Sequence, residues 1–206
     1  MKRWTTALVV AAGLVTAALV TPAAAQHSTP TGPYCGITWG SLDKSASTAS
    51  NAPVTNLRSG RHDCYDRLVV DVAGSRAGYT VRYVSAVTAQ GSGNVVPLRG
   101  GAFLQIDLTI PAYDGSGRPT YNPANQRELV DLAGYRTFRQ AAWAGSFEGY
   151  TTVGLGVRAR LPFRVLTLEG PGSGSRLVID AFSMPYATSD EIEELEEVVE
   201  SIRFER

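Results

Sequence analysis

The sequence predicts an all-β fold, a two-sheet sandwich or partly closed barrel, with an extended N-terminal arm and a C-terminal acidic helix. Three observations carry that expectation. Short runs alternate apolar and polar residues, glycine-rich breaks separate them, and later runs are apolar on both sides, so one sheet cannot bury every face.

Residues 1–25 read as a secretory signal peptide. Lys2 and Arg3 precede the apolar run TTALVVAAGLVTAALV, and Ala23 and Ala25 supply an A-x-A cleavage pattern. The apolar run is shorter than the ~20 residues of a membrane-spanning helix, so no transmembrane segment is expected in the mature chain. Residues 26–53, rich in Ser, Thr, Pro and Gly, read as an arm tied down by Cys35, with Trp39 as a second tether.

The β domain is expected over residues 54–183. In YDRLVVDV, Leu68, Val70 and Val72 share one face. Tyr79, Val81 and Tyr83 do so in YTVRYVSAV, and Leu104, Ile106, Leu108 and Ile110 in AFLQIDLTI. In VGLGVRARL, Val153, Leu155, Val157, Ala159 and Leu161 oppose Gly154, Gly156, Arg158 and Arg160. The runs 163–168 and 176–182 are apolar on both sides and predict central strands. Between Ile110 and Gly134 the prolines, glycines and asparagines exclude a central strand, and ANQRELVDLAG predicts one or two helical turns ending at Gly134.

Residues 188–206 predict an amphipathic acidic helix. Thr188 and Glu191 fit a capping box, and Ile192, Leu195, Val198, Val199 and Ile202 recur at helical spacing. Such a stripe docks either on its own domain or on a partner.

Two cysteines in an exported chain predict one disulfide, Cys35–Cys64. From Gln26 to Phe182 there are 15 basic and 11 acidic residues. That excess is too small to argue for nucleic acid, and no nucleic-acid motif accompanies it.

The segment GRHDCYDR contains His62, Asp63, Cys64 and Asp66. An acyl-transfer site there would need a carboxylate orienting the imidazole towards a serine. Asp63 and His62 are consecutive and point to opposite faces of a strand, no GxSxG elbow exists, and a bridged Cys64 offers no thiolate. The competing account puts Gly60 in a turn, Arg61 to Asp63 on its rim, and Cys64 as an anchor. No catalytic residues are expected. His62, the one histidine well inside the mature chain, and a bridged cysteine pair make no zinc site, and DGSG at 114–117 lacks the alternate carboxylates of a calcium loop. GLGVRA lies within a strand pattern, so it predicts no dinucleotide site. Asp107, Glu148 and Asp180 are carboxylates better read as salt-bridge partners than as a glycosidase pair. No cofactor or metal is expected.

Taken in order, YCGITWGSL, GRHDCYDRLVVDVAG, GYTVRYV, VPLRGGAFLQI, TFRQAAWAGSFEG, GLGVRARLPFRVLTL and SRLVIDAF resemble the secreted AMIN-like domain proteins of actinobacteria over roughly residues 34 to 183. Strand couplets such as PFRVLTL and SRLVID are also similar to AMIN domains, small β-sandwiches that bring cell-wall amidases to peptidoglycan. The resemblance implies a β-sandwich and, through those more distant relatives, peptidoglycan binding.

A ligand face is expected at Gly154, Gly156, Arg158 and Arg160, with Trp143 and Tyr150 nearby in sequence and Phe147, Tyr113 and Tyr121 as further aromatics. Glycines leave a flat floor, and arginine forks take carboxylates in pairs. The alternative is structural: glycines for bulges, arginines in cross-strand pairs, aromatics in the core. The functional expectation is a non-catalytic module binding peptidoglycan or another wall glycopolymer outside the cell. The alternative is an assembly protein recruiting a protein partner through the 188–206 helix, and a hydrolase at His62 is the third possibility.

Overall fold

A computed structural model describes residues 34–48 and 50–183; the predicted leader and acidic helix lie outside the described residues. The strands are β1 (Lys44–Ala46), β2 (Val54–Arg61), β3 (Tyr65–Val72), β4 (Tyr79–Val84), β5 (Val87–Thr88), β6 (Val95–Val96), β7 (Ala102–Leu108), β8 (Phe138–Phe147), β9 (Tyr150–Val157), β10 (Phe163–Glu169) and β11 (Ser175–Phe182). They form two main antiparallel sheets, ordered β1-β4-β7-β9-β8 and β10-β11-β3-β2, and a small β5-β6 ribbon. Neither main sheet closes into a barrel.

The alternating runs explain the layering. Leu68, Val70, Leu177 and Ile179 from the four-stranded sheet meet Val81, Leu104, Ile106, Val153 and Leu155 from the five-stranded sheet in one buried cluster. Each fully buried Leu or Ile contributes roughly 1.5–3 kcal/mol, so two facing strand layers supply the core among the described residues. Ile110 is also fully buried, beyond the end of β7.

Several expectations need correction. β10 is an edge strand rather than a central one, its free side met by an isolated bridge between Gly40 and Phe163. β9 stops at Val157, so Arg158 and Arg160 lie on the following bend. Gly60 sits inside β2 opposite Arg67, and the turn is made by His62 to Cys64. Residues 124–134 form no helical turn. Asn125 and Asp131 instead accept the amides of Arg127 and Ala133 in short side-chain-closed turns. That segment also bonds to the β8 edge through Leu129 N to Ala141 O and Trp143 N to Gln126 O.

The arm crosses from one sheet to the other, bridging β10 at Gly40 and pairing with β4 through β1. Its start is fixed by the Cys35–Cys64 disulfide, with Cα atoms 6.3 Å apart.

At the centre of the four-stranded sheet the chain pairs with a near copy of itself. Arg67-Leu-Val-Val-Asp71 lies antiparallel to Arg176-Leu-Val-Ile-Asp180. Arg67 faces Asp180, Val69 faces Val178, and Asp71 faces Arg176. The register places a local twofold at the Val69–Val178 pair.

Candidate functional site

The two outer faces differ. On the five-stranded sheet, Gly154 and Gly156 do not form an open floor. A Cβ on Gly156 would meet Arg99 O at 1.9 Å, and one on Gly154 would meet Leu98 Cδ1 at 2.9 Å and Val87 Cγ1 at 3.1 Å. The 87–99 segment therefore roofs these strands, and the glycines are the space it occupies. Polar bonds pin the roof: Thr88 N donates to Gln105 Oε1 (3.2 Å), Gln90 Nε2 to Thr152 Oγ1 (2.9 Å), and Arg99 N to Gln140 Oε1 (2.7 Å). Beneath it, Asp107 accepts from Gln105 and Thr152 and pairs with Arg82 at 3.3 Å.

The other residues of the expected ligand face are dispersed. Trp143 points inward, packed on the core and tilted against Tyr121 at 5.3 Å. Tyr150 and Phe147 are half exposed at the tip of the β8–β9 hairpin, where Glu148 and Gly149 both adopt positive φ. Tyr113 accepts the Gly149 amide beside that tip. Arg160 is exposed and lies 4.7 Å above the Tyr83 ring. Arg158 is half-buried, and its buried Nε has no hydrogen-bond partner. Burial lowers its pKa, nearby Arg139 lowers it further, and the Asp66 charge opposes both.

The four-stranded sheet has no such roof among the described residues. Tyr65, Arg67, Val69 and Asp71 project outward from β3, and Arg176, Val178, Asp180 and Phe182 from β11. Val69 and Val178 are buried yet stand apart from the inter-sheet core. Asp180, fully buried, takes two guanidinium groups. Arg67 binds it bidentately (Nε to Oδ1 2.6 Å, Nη2 to Oδ2 2.8 Å), and Arg164 Nε reaches Oδ2 at 2.8 Å. The bond to Asp180 raises the Arg67 pKa, with burial opposing it. Removing a charge from water is tolerable only with such pairing.

Aromatic rings continue this row. Arg67 lies 5.0 Å over Tyr65, and Arg164 lies 5.2 Å over Tyr65 and 5.6 Å over Trp39. Trp39 meets Phe182 edge-on at 5.6 Å, and His62 stacks on Tyr65 at 4.5 Å. The disulfide holds the Trp39-bearing arm here. The result is a layered polar-aromatic platform of rings and guanidinium groups, with the Arg58–Asp71 pair further along the face. Sequence reasoning placed Asp180 only as a salt-bridge partner and did not single out Tyr65, Arg67 or Arg164. The available signal was the RLV(V/I)D duplication.

Asp107 and Asp180 lie on opposite outer faces, so they cannot flank one bond. His62 sits in the β2–β3 turn, where His62 N donates to Tyr65 O at 2.9 Å.

These features define a disulfide-pinned antiparallel β-sandwich with one roofed face and one arginine- and aromatic-bearing face that is open among the described residues. The AMIN-like domain matches residues 52–182, and the chain belongs to that family. Comparison with curated proteins and with solved structures finds no match.

Proposed function

We propose that this chain is an exported, non-catalytic cell-envelope module that binds peptidoglycan or a related wall glycopolymer on the outer face of its four-stranded sheet. The observation that carries the reading is the platform built on Asp180. Arg67 and Arg164 are held over the Tyr65 and Trp39 rings by one buried carboxylate. Aromatic planes stack on sugar rings, and arginines bind carboxylates. A platform whose side chains are already fixed loses little conformational entropy on binding. Family membership supports the same direction, through the resemblance to AMIN domains.

Co-sedimentation with insoluble peptidoglycan tests it. The protein is expected in the pellet, and Arg164→Ala combined with Tyr65→Ala is expected to release most of it. Arg158→Ala with Arg160→Ala, away from the platform, is expected to pellet like the parent. Equal recovery in the supernatant with and without wall material removes the proposal. Loss confined to the 158/160 variant moves the site back to the bend after β9.

A further inference from the structure

We infer that the cavity between the β2–β3 turn and the 131–137 segment is a site for a zwitterionic amino-acid head, with the ligand carboxylate against Arg61 and Arg136 and its ammonium against Asp66. The cavity, about 340 Å³, is lined by Arg61, His62, Asp63, Asp66, Gly134 and Arg136. That volume falls within the range of small-molecule sites.

Its walls are fixed independently of any ligand. Arg61 Nη1 donates to Gly134 O at 3.2 Å, and Arg136 Nη1 donates to Asp63 O at 2.9 Å, a reciprocal clasp across the opening. Tyr135 Oη donates to Ser59 Oγ at 2.8 Å, and Cys64 is held by the disulfide and by Ser183 N, which donates to its carbonyl at 3.0 Å. Each arginine thus commits one N–H to a carbonyl. Its other donors have no protein partner among the described residues.

Asp66 supplies the second observation. It is only 1% exposed. Its Oδ2 accepts from Thr137 N at 2.6 Å and Phe138 N at 3.0 Å, whereas the buried Oδ1 has no partner. Arg158 feels the Asp66 charge but makes no hydrogen bond or ion pair with it among the described residues. Buried polar atoms are normally bonded, so a carboxylate oxygen left unpaired beside a cavity calls for a donor. The lining therefore asks for an acceptor and a donor together. An inorganic anion would satisfy the guanidinium groups and leave Asp66 unmet. A metal cation would suit Asp66 and be repelled by two arginines. An α-ammonium carboxylate satisfies both with two adjacent groups. The site does not depend on the polymer platform, so it stands or falls separately from wall binding.

Amide NMR of the purified protein tests it, read at Asp63 and Gly134. Alanine represents a free amino acid, and Nα-acetyl-diaminopimelate presents the same head at the end of a blocked chain. Acetate and methylammonium carry one charge each. Both zwitterions are expected to bind at least about tenfold more tightly than either single-charge probe. A preference between them identifies the source, free or chain-borne, and equal affinity supports the shared head. Arg136→Ala and Arg61→Ala, at exposed positions, are each expected to weaken alanine about tenfold. Asp66→Asn retains an acceptor for Thr137 and Phe138 and is expected to lose the preference over acetate. If that variant fails to fold, the two arginine variants decide. Acetate matching alanine, or alanine shifts unchanged in both arginine variants, or no shifts at all, overturns the inference.

Discussion

The outer face of the five-stranded sheet and that of the four-stranded sheet are made from strands of the same kind, yet among the described residues only the first is roofed by a further segment of the chain. Under the 87–99 segment, side chains are trimmed to Gly154 and Gly156, and Gln105, Thr152 and Gln140 each accept a hydrogen bond from the cover. On the four-stranded sheet the side chains are large, and their hydrogen bonds run within the face itself, into Asp180 and Asp71. Glycines in a strand therefore do not mean an open floor. Here they record a close neighbour, and the bulky side chains stand on the other outer face.

Removing the disulfide carries the largest expected effect, because it frees the arm that brings Trp39 to the open face. Cys35→Ser with Cys64→Ser is expected to lose about 3–4 kcal/mol by denaturant unfolding, following the entropy of a loop this long. A loss below about 1 kcal/mol would mean that β1 and the Gly40 bridge hold the arm unaided.

The glycines sharpen the contrast directly. Gly156→Ala drives a methyl into Arg99 O and is expected to cost about 2–3 kcal/mol. Gly60→Ala, on the open face, meets nothing closer than the His62 Nε2 at 3.6 Å and is expected to change stability by less than about 0.5 kcal/mol. Equal costs in thermal melts would erase the distinction between the faces.

Tyr83 probes the end of the sandwich where β9 gives way to its bend. Burial pushes its phenol up to about 12, against opposition from its bond to Leu161 and from Arg160. The unfolded phenol ionises near 10, so the folded state is favoured below that pH and loses the advantage as pH rises towards 12. The expected loss is on the order of 2 kcal/mol, and phenolate absorbance should show Tyr83 titrating late, in company with Tyr79 and Tyr121, whose phenols burial also raises. Normal titration of every tyrosine would contradict the buried hydroxyl. Arg160→Ala, removing an exposed cation over that ring and its long bond to Ser41 O, should cost no more than about 1 kcal/mol.

Much of the architecture was legible in the sequence, since period-two runs such as 68–72 and 104–110 announce which side of a strand is buried. The disulfide followed from there being two cysteines. The roof was not legible. β5 and β6 have two residues each, too short for any period, and what excludes a ligand from Gly156 is a carbonyl distant in sequence. The β9 boundary was misjudged because Ala159 and Leu161 continue the alternation after the strand has ended, on a segment where Leu161 N bonds to the Tyr83 hydroxyl. Of the platform, the arginines and Asp180 were visible as a repeated pentapeptide, but their convergence depends on antiparallel registration that a linear pattern does not encode.

The pairing of β3 with β11 also governs timing during synthesis. Tyr65 cannot meet Phe182 until more than a hundred further residues have been made, and contacts so distant along the chain form late and slowly. A nascent chain thus lacks the middle of one layer until nearly all of the domain has left the ribosome.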